Sequence, residues 1–347
     1  MNYVRNAWYV GSWSPDLQAD TLQAIQILGE PIVLWRTAQQ VVALADRCVH
    51  RLAPLSLGRC EADKLRCMYH GLLYDNQGQC VQIPGQDTIP PAARVRSYPV
   101  VERHSWVWVW MGDPARADES LIPPAVGLED PQWLLGRGQL DYEAEARYIN
   151  DNLLDFSHLT YVHANSFGAG PSFAADRPKL TALERGVRFE RWITGTAGPV
   201  GRGTDELTDS WSTYDFLIPG VLLMWSGSFK LGTAAGCNFE RPDYSQALRG
   251  VTFTSQAVTP LAERRARYFF SWGPHRQHGD EALRDLLMKV AAQAFGEDKV
   301  KIEAQQKVID RTPDAVIMPT AHDRGVTMFS RLVARLVREE EAVMLAG

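Results

Sequence analysis

An α+β chain is predicted: a small all-β domain first, then a larger domain of strands closed by a long helix. Three observations predict it. Residues 21–46 hold short β-rich runs, Gln23–Leu28, Pro31–Trp35 and Val41–Ala45, broken by Gly29-Glu30-Pro31 and Thr37–Gln40. Strand-like runs return between residues 187 and 272. From Asp280 to about Ile309 helix formers dominate, with Gly296 the one interruption. Strands followed by helix indicate an α+β layer.

Bulk properties narrow the function. A chain of 347 residues is long for one core, so two domains are expected. Apolar content of 45% and charged content of 22% are ordinary for a globular protein. A net charge of −5 argues against a nucleic-acid partner. No apolar run reaches membrane-spanning length, and the N-terminus has no apolar signal core, so a cytoplasmic protein with no membrane partner is expected. Five cysteines are an odd number in a reducing compartment, where metal ligation outranks disulfides.

The β-rich style continues after residue 46. Gly71-Leu-Leu-Tyr74 precedes the turn Asn76-Gln77-Gly78, and Trp106-Val-Trp-Val-Trp110 precedes Gly112-Asp-Pro114. Two loops between these runs carry chemistry. One is Cys48-Val-His50 and the other Cys67-Met-Tyr-His70. Each offers one thiolate and one imidazole. Two cysteines plus two histidines are the ligands of a Rieske [2Fe–2S] centre, cysteines on one iron and histidines on the other. A Cys2His2 zinc site is the competing reading, although classical zinc fingers space their ligands differently. Cys60 and Cys80 lie outside both loops and read as bystanders.

Residues 112–124 are polar and turn-rich and read as a linker. Beyond them, Asn150 to His163 places Asp155, His158 and His163 among apolar neighbours. On one helix, Asn152, Asp155 and His158 would share a face. His158 and His163 are about 140° apart round a regular helix, so they converge only if the helix ends, tightens or bulges between them. Two histidines and a carboxylate suit ferrous iron with open positions. A buried helix with hydrogen-bonded histidines is the other reading. The strands that follow, among them Val187–Ile193, Trp211–Ile218, Val221–Trp225, Val251–Thr254 and Arg267–Trp272, carry Phe, Trp and Met that suit a core or a pocket wall. The late helix offers the acidic residues Glu297, Asp298 and Glu303.

The pattern Cys48-x-His50…Cys67-x2-His70 resembles the Rieske domain of bacterial Rieske non-haem iron oxygenases. Respiratory Rieske proteins carry extra disulfide cysteines where this chain has Ala53 and Tyr69. Asn152-x2-Asp155-x2-His158-x4-His163 is similar to the mononuclear iron motif of the same oxygenases. Asn152-Leu-Leu-Asp-Phe-Ser-His158, Ile83-Pro-Gly-Gln86 and Met111-Gly-Asp-Pro114 are similar to the shorter members of vanillate O-demethylase, dicamba monooxygenase and toluenesulfonate monooxygenase type. The resemblance covers nearly the whole chain.

It implies a Rieske [2Fe–2S] domain over residues 1–115 and a catalytic domain over 116–347, helix-grip-like with an antiparallel sheet and long C-terminal helix. The implied cluster ligands are Cys48, His50, Cys67 and His70. The implied mononuclear Fe(II) ligands are His158, His163 and Asp298, the last from the Glu297-Asp298-Lys299 step, with Glu297 its nearest rival. Asp155 is implied to bridge a cluster histidine and His158 across a subunit interface, with Asn152 supporting it. The implied activity is the terminal oxygenase of a monooxygenase that hydroxylates or O-demethylates a small aromatic acid with O2. Electrons come from NADH through a separate reductase or ferredoxin, and the implied assembly is a homotrimer. A Rieske electron carrier without oxygenase activity and an oxygenase acting on a non-aromatic substrate are the alternatives. The exact substrate and its pocket residues are not legible; Asn238, Arg241, Ser255, Gln256 and His275 are candidates that spacing cannot place.

Overall fold

A computed structural model describes residues 3–167, 170–196 and 206–346, with side chains to 343. It divides into two compact units, residues 3–122 with 259–263, and residues 123–258 with 264–346. No helix among the described residues is long and apolar enough to cross a membrane.

The first unit is all β apart from short 3-10 turns, as its short β-rich runs predict. Trp8–Trp13, Trp106–Trp110 and Val100–Arg103 form a three-stranded sheet. Every residue of Trp106–Trp110 is buried, which explains why the run lacks polar alternation. The indoles of Trp8 and Trp110 donate to the carbonyls of Asp118 and Asp113, both at 2.8 Å. These bonds hold the expected linker, or at least its part up to Ile122, to the first unit. The side chains of Asp113 and Asp118 cap its two 3-10 turns. A second sheet joins Gln23–Ile27, Glu30–Arg36, Val41–Ala45 and Ser97–Tyr98. A third, smaller sheet of Arg59–Glu61, Lys64–Arg66, Leu73–Tyr74 and Cys80–Gln82 carries the second Cys/His loop between its middle strands.

The second unit is built on one seven-stranded sheet. Its strands are β1 (Gly136–Tyr142), β2 (Lys179–Leu183), β3 (Gly186–Thr196), β4 (Thr208–Leu217), β5 (Val221–Lys230), β6 (Arg249–Ala262) and β7 (Arg265–Pro274). Their order is β1-β7-β6-β5-β4-β3-β2, a meander from β2 to β7 with β1 added at the far edge. Short α1 (Ala146–Leu154) follows β1, and long α2 (Glu281–Arg311) and α3 (Arg324–Ala346) end the chain. The side chain of Asp280 caps α2 by accepting from the Leu283 N–H at 2.8 Å. The buried residues of α2 include Ala291, Ala294, Phe295, Asp298 and Ile302, which form one stripe at helical spacing. One carboxylate, Asp298, therefore sits on the apolar face.

Candidate metal centres and cavity

The two Cys/His loops of the first unit are built alike. The Cys48 N–H donates to Ala53 O at 2.8 Å and the Leu52 N–H to Cys48 O at 2.9 Å. In the second loop the Cys67 N–H donates to Leu72 O at 2.8 Å and the Gly71 N–H to Cys67 O at 3.0 Å. The same offsets recur, and the residue four after each cysteine is left-handed: Leu52 at φ 57° and Gly71 at φ 76°. Glycine adopts that conformation freely, whereas Leu52 does so at a cost, so the loop geometry overrides residue preference there. Both thiols are buried, while His50 and His70 are exposed with ring centroids 4.3 Å apart.

Buried, unbridged cysteines beneath two exposed imidazoles fit a cluster whose cysteine iron is inside and whose histidine iron faces out. Among the described residues, these four do not form a group whose donor atoms close to single-ion dimensions, which a zinc site would need. Tyr74, which sequence reasoning passed over, adds to the site. Its hydroxyl lies 3.2 Å from Cys48 Sγ and accepts from the Val49 N–H at 3.2 Å. Burial, then the bond to Cys48, push the pKa of that hydroxyl upward, so it stays protonated and donates to sulfur. Cys60 and Cys80 lie outside both loops as expected, although Cys80 is buried.

In the second unit the helix through Asn150–His163 does break. α1 stops at Leu154, a 3-10 turn spans Phe156–His158, and a short helix runs Leu159–Val162. The expectation that Asn152, Asp155 and His158 share a helix face is corrected. Asp155 has left the helix at φ −135°, ψ 98°, and its carboxylate caps the next turn through the Ser157 N–H at 2.8 Å. Within this chain Asp155 meets His158 by its backbone carbonyl, 2.6 Å from Nδ1, and not by its carboxylate.

The break lets the two imidazoles converge. His158 and His163 have ring centroids 5.3 Å apart, and their Nε2 atoms lie 3.6 Å and 3.2 Å from Asp298 Oδ1. Among the described residues, this trio is the one group of three or more His, Cys, Asp or Glu whose donor atoms close to within 4.8 Å.

The hydrogen-bond network assigns both tautomers. His158 Nδ1–H donates to Asp155 O, and His163 Nδ1–H donates to Glu297 Oε2 at 2.8 Å. Both Nε2 lone pairs are then turned toward Asp298. His163 is fully buried and its Nε2 has no hydrogen-bond partner, an orphaned acceptor that a metal ion would satisfy. Burial lowers the His158 pKa below its ordinary value. At His163 burial also acts downward, but the adjacent carboxylates of Asp298 and Glu297 outweigh it and the net direction is up. Asn152 donates to Asp298 Oδ1 at 3.2 Å and approaches His158 Nε2 at 3.3 Å, so it steadies the carboxylate.

The three late acids divide. Asp298, on the buried stripe of α2, is 5% exposed. Glu297, one residue round the helix, accepts from both His163 and the Ser166 hydroxyl (2.6 Å). Glu303 instead accepts the Glu143 N–H at 2.9 Å, away from the trio.

The trio lies on the wall of a cavity of about 350 Å³ lined by α1, the segment that follows it to Phe173, α2 and the face of the sheet. Phe167, Trp272 and Phe295 form an aromatic wall beside His163, with His163 and Phe167 centroids 5.1 Å apart. Of the five pocket candidates read from sequence, Gln256 lines the cavity. Its amide oxygen accepts from the Tyr268 hydroxyl at 2.6 Å. Asn238, Arg241, Ser255 and His275 do not line it; Arg241 instead sits 4.6 Å over the ring of Tyr244.

Comparison with known proteins places both parts of the chain in known families. Residues 7–99 match the Rieske [2Fe-2S] domain, and residues 142–339 match the vanillate O-demethylase oxygenase C-terminal domain. The chain is 37% identical to the toluene-4-sulfonate monooxygenase system iron-sulfur subunit of Comamonas testosteroni, over 97% of this chain and 98% of that one. It is 33% identical to the dicamba O-demethylase oxygenase component of Stenotrophomonas maltophilia, over 88% and 89%. The crystal structure of dicamba monooxygenase bound to 3,6-dichlorosalicylic acid superposes with TM-score 0.88 at 29% identity, covering 99% and 100%. Dicamba monooxygenase has also been solved with non-heme iron and dicamba, at TM-score 0.79 and 27% identity, covering 99% of each chain.

Proposed function

Because the chain belongs to the Rieske non-haem iron oxygenases of vanillate O-demethylase type, we propose that it hydroxylates a methyl or methoxy carbon of a small aromatic acid. The carrying observation is the convergence of His158, His163 and Asp298, both Nε2 lone pairs inward, on the wall of a mostly apolar cavity. In this reading those three residues hold ferrous iron, and Cys48, His50, Cys67 and His70 hold the [2Fe–2S] cluster. Bound there, the iron supplies dioxygen activation, and the cluster supplies electrons one at a time from an NADH-dependent reductase. One oxygen atom enters the C–H bond, and the other leaves as water with two electrons and two protons. A methoxy carbon so hydroxylated is a hemiacetal, which collapses to a phenol and formaldehyde.

The chain's own residues prepare this. Glu297 and the Asp155 carbonyl fix the imidazole tautomers, Asn152 holds the Asp298 carboxylate, and the Phe167–Trp272–Phe295 wall keeps water away from the ligands. Asp155, at a half-buried turn, would bridge His70 of one subunit and His158 of the next in a head-to-tail homotrimer. A skirt of exposed apolar side chains beside the cluster histidines, Val49, Leu52, Met68 and Tyr69, supports such an interface.

Iron content and oxygen uptake test the reading. The protein should hold three irons per chain. With reductase and NADH it should consume oxygen only when an aromatic acid is added, and a methoxybenzoate panel should release formaldehyde. Two irons per chain and no substrate-stimulated uptake would mark an electron carrier instead.

A further inference from the structure

The sheet face of the cavity is covered with hydroxyls. Ser212 on β4, Ser226 on β5 and Thr252 on β6 are paired neighbours across three strands, and Ser210 and Ser228 form the next row. Such a row is unusual on an otherwise buried surface, because each hydroxyl must find a partner.

The proton count is informative. Ser226 Oγ and Thr252 Oγ1 are 2.8 Å apart, so one donates to the other and one proton is left over. Ser210 Oγ lies 3.1 Å from Thr196 Oγ1, which itself reaches Thr208 O at 3.3 Å, so that chain uses both its protons. The hydroxyls of Ser212 and Ser228 have no hydrogen-bond partner among the described residues, and Ser228 is only 4% exposed. On these two hydroxyl rows three protons therefore remain for a ligand: one each from Ser212 and Ser228, and one from the Ser226–Thr252 pair. Among the described residues no lysine or arginine lines the cavity; the buried Arg191, cross-strand from Ser212, instead donates to Phe173 O at 3.2 Å and lies over its ring.

Position is equally informative. The row beyond Ser212–Ser226–Thr252 is Tyr214–Met224–Thr254. Phe156, two residues before His158, lies against Tyr214 with centroids 4.7 Å apart. The hydroxyl row is thus one strand repeat, about 6.6 Å, beyond the row that abuts the ligand segment. A benzene ring with para substituents spans such a step.

A sulfonate has three equivalent oxygens, is weakly basic and stays ionised without a cation beside it. A carboxylate could also accept three bonds, but its two oxygens lie in one plane and it is more basic, so it matches three separately placed donors less well than the pyramidal sulfonate does. We propose that Ser212, Ser228 and the Ser226–Thr252 pair form a three-donor seat for the sulfonate of a para-substituted arenesulfonate, whose para methyl or alkoxy carbon then points toward His158, His163 and Asp298. The proposal rests on the oxygenase reading above for the reacting end of the ligand; the seat itself is tested by binding alone.

Calorimetric titration of the cluster- and iron-loaded protein, without oxygen, tests the seat with 4-toluenesulfonate, 4-methylbenzoate and the uncharged 4-toluenesulfonamide as probes. The sulfonate should bind tightest. Ser212→Ala, Ser228→Ala and Thr252→Val should each weaken it about tenfold, the loss expected for one hydrogen bond to a charged group. Ser212→Thr and Thr252→Ser, which keep the hydroxyl, should retain binding. Equal binding of carboxylate and sulfonate, or sulfonate affinity within twofold of the parent in all three hydroxyl-less variants, overturns the seat. Oxygen uptake with another aromatic acid, together with unchanged sulfonate binding in those variants, overturns the seat and leaves the oxygenase reading intact. Variant-sensitive sulfonate binding without substrate-stimulated oxygen uptake by any aromatic does the reverse.

Discussion

Glu297→Ala removes the acceptor that sets the tautomer of His163. In the parent, Glu297 Oε2 takes the His163 Nδ1–H at 2.8 Å and the Ser166 hydroxyl at 2.6 Å, and Gln293 donates to the other oxygen at 3.1 Å. His163 is fully buried, so its Nδ1–H would lose its partner where water does not compensate. Stranding such a donor costs about 1–3 kcal/mol. The imidazole can avoid that cost by turning or by moving its proton to Nε2, and either change spoils the lone pair aimed at Asp298. Outer-shell partners of metal-bound histidines typically contribute 10–100-fold in metal affinity. We therefore expect Fe(II) affinity to fall by about that factor in Glu297→Ala. Glu297→Gln, whose amide oxygen can still accept from Nδ1–H, should lose less. Anaerobic Fe(II) titration against a competing chelator measures this, with the visible spectrum of the cluster as internal control. Asp298→Ala in the same assay should lose mononuclear iron altogether while keeping the cluster spectrum. Parent affinity in Glu297→Ala would refute the tautomer argument. A loss as complete as that of Asp298→Ala, with Asp298→Ala itself retaining iron, would make Glu297 the ligand.

Asp155→Asn keeps a side chain able to cap the Ser157 N–H, so both metals should be retained while product formation falls at least about 100-fold; normal turnover excludes the bridge role. Tyr74→Phe removes a donor to Cys48 sulfur and should lower the cluster potential by about 40 mV for a hydrogen bond of ~1 kcal/mol, read by spectroelectrochemistry; an unchanged potential refutes donation to sulfur. Burial, the larger cause, and the charge of Asp323 raise the carboxyl pKa of Asp151 to about 6 against the pull of Arg147. The folded chain therefore holds that proton more tightly than the unfolded chain, and stability is lost as pH climbs from about 4 to 6. Asp151→Asn should stabilise the protein at pH 7.5 by up to ~3 kcal/mol and much less at pH 4; equal gains in thermal unfolding at both pH values would contradict this.

The sequence by itself determined the fold class and the order of the domains, and it named the candidate ligands. Cys48, His50, Cys67 and His70 are legible as a candidate set because each Cys/His pair lies within one short loop, where local spacing fixes the geometry. The convergence of His158 and His163 was legible as a requirement, since five residues on a regular helix cannot aim two rings at one point. What satisfied that requirement was not legible: Asp155 leaves the helix to cap the next turn, so its carbonyl, not its carboxylate, meets His158. Asp298 had a sequence signal that spacing alone could have found, an acid on the Ala291–Ala294–Phe295–Ile302 stripe. Choosing it over Glu297 and giving Glu297 its work on His163 required α2 to be docked against the His163 segment, a contact across some 130 residues. The hydroxyl seat depends even more on tertiary structure. Ser212, Ser226, Ser228 and Thr252 read as ordinary alternation along separate strands. Only the cross-strand register brings them into one row and shows which of their protons remain unspent.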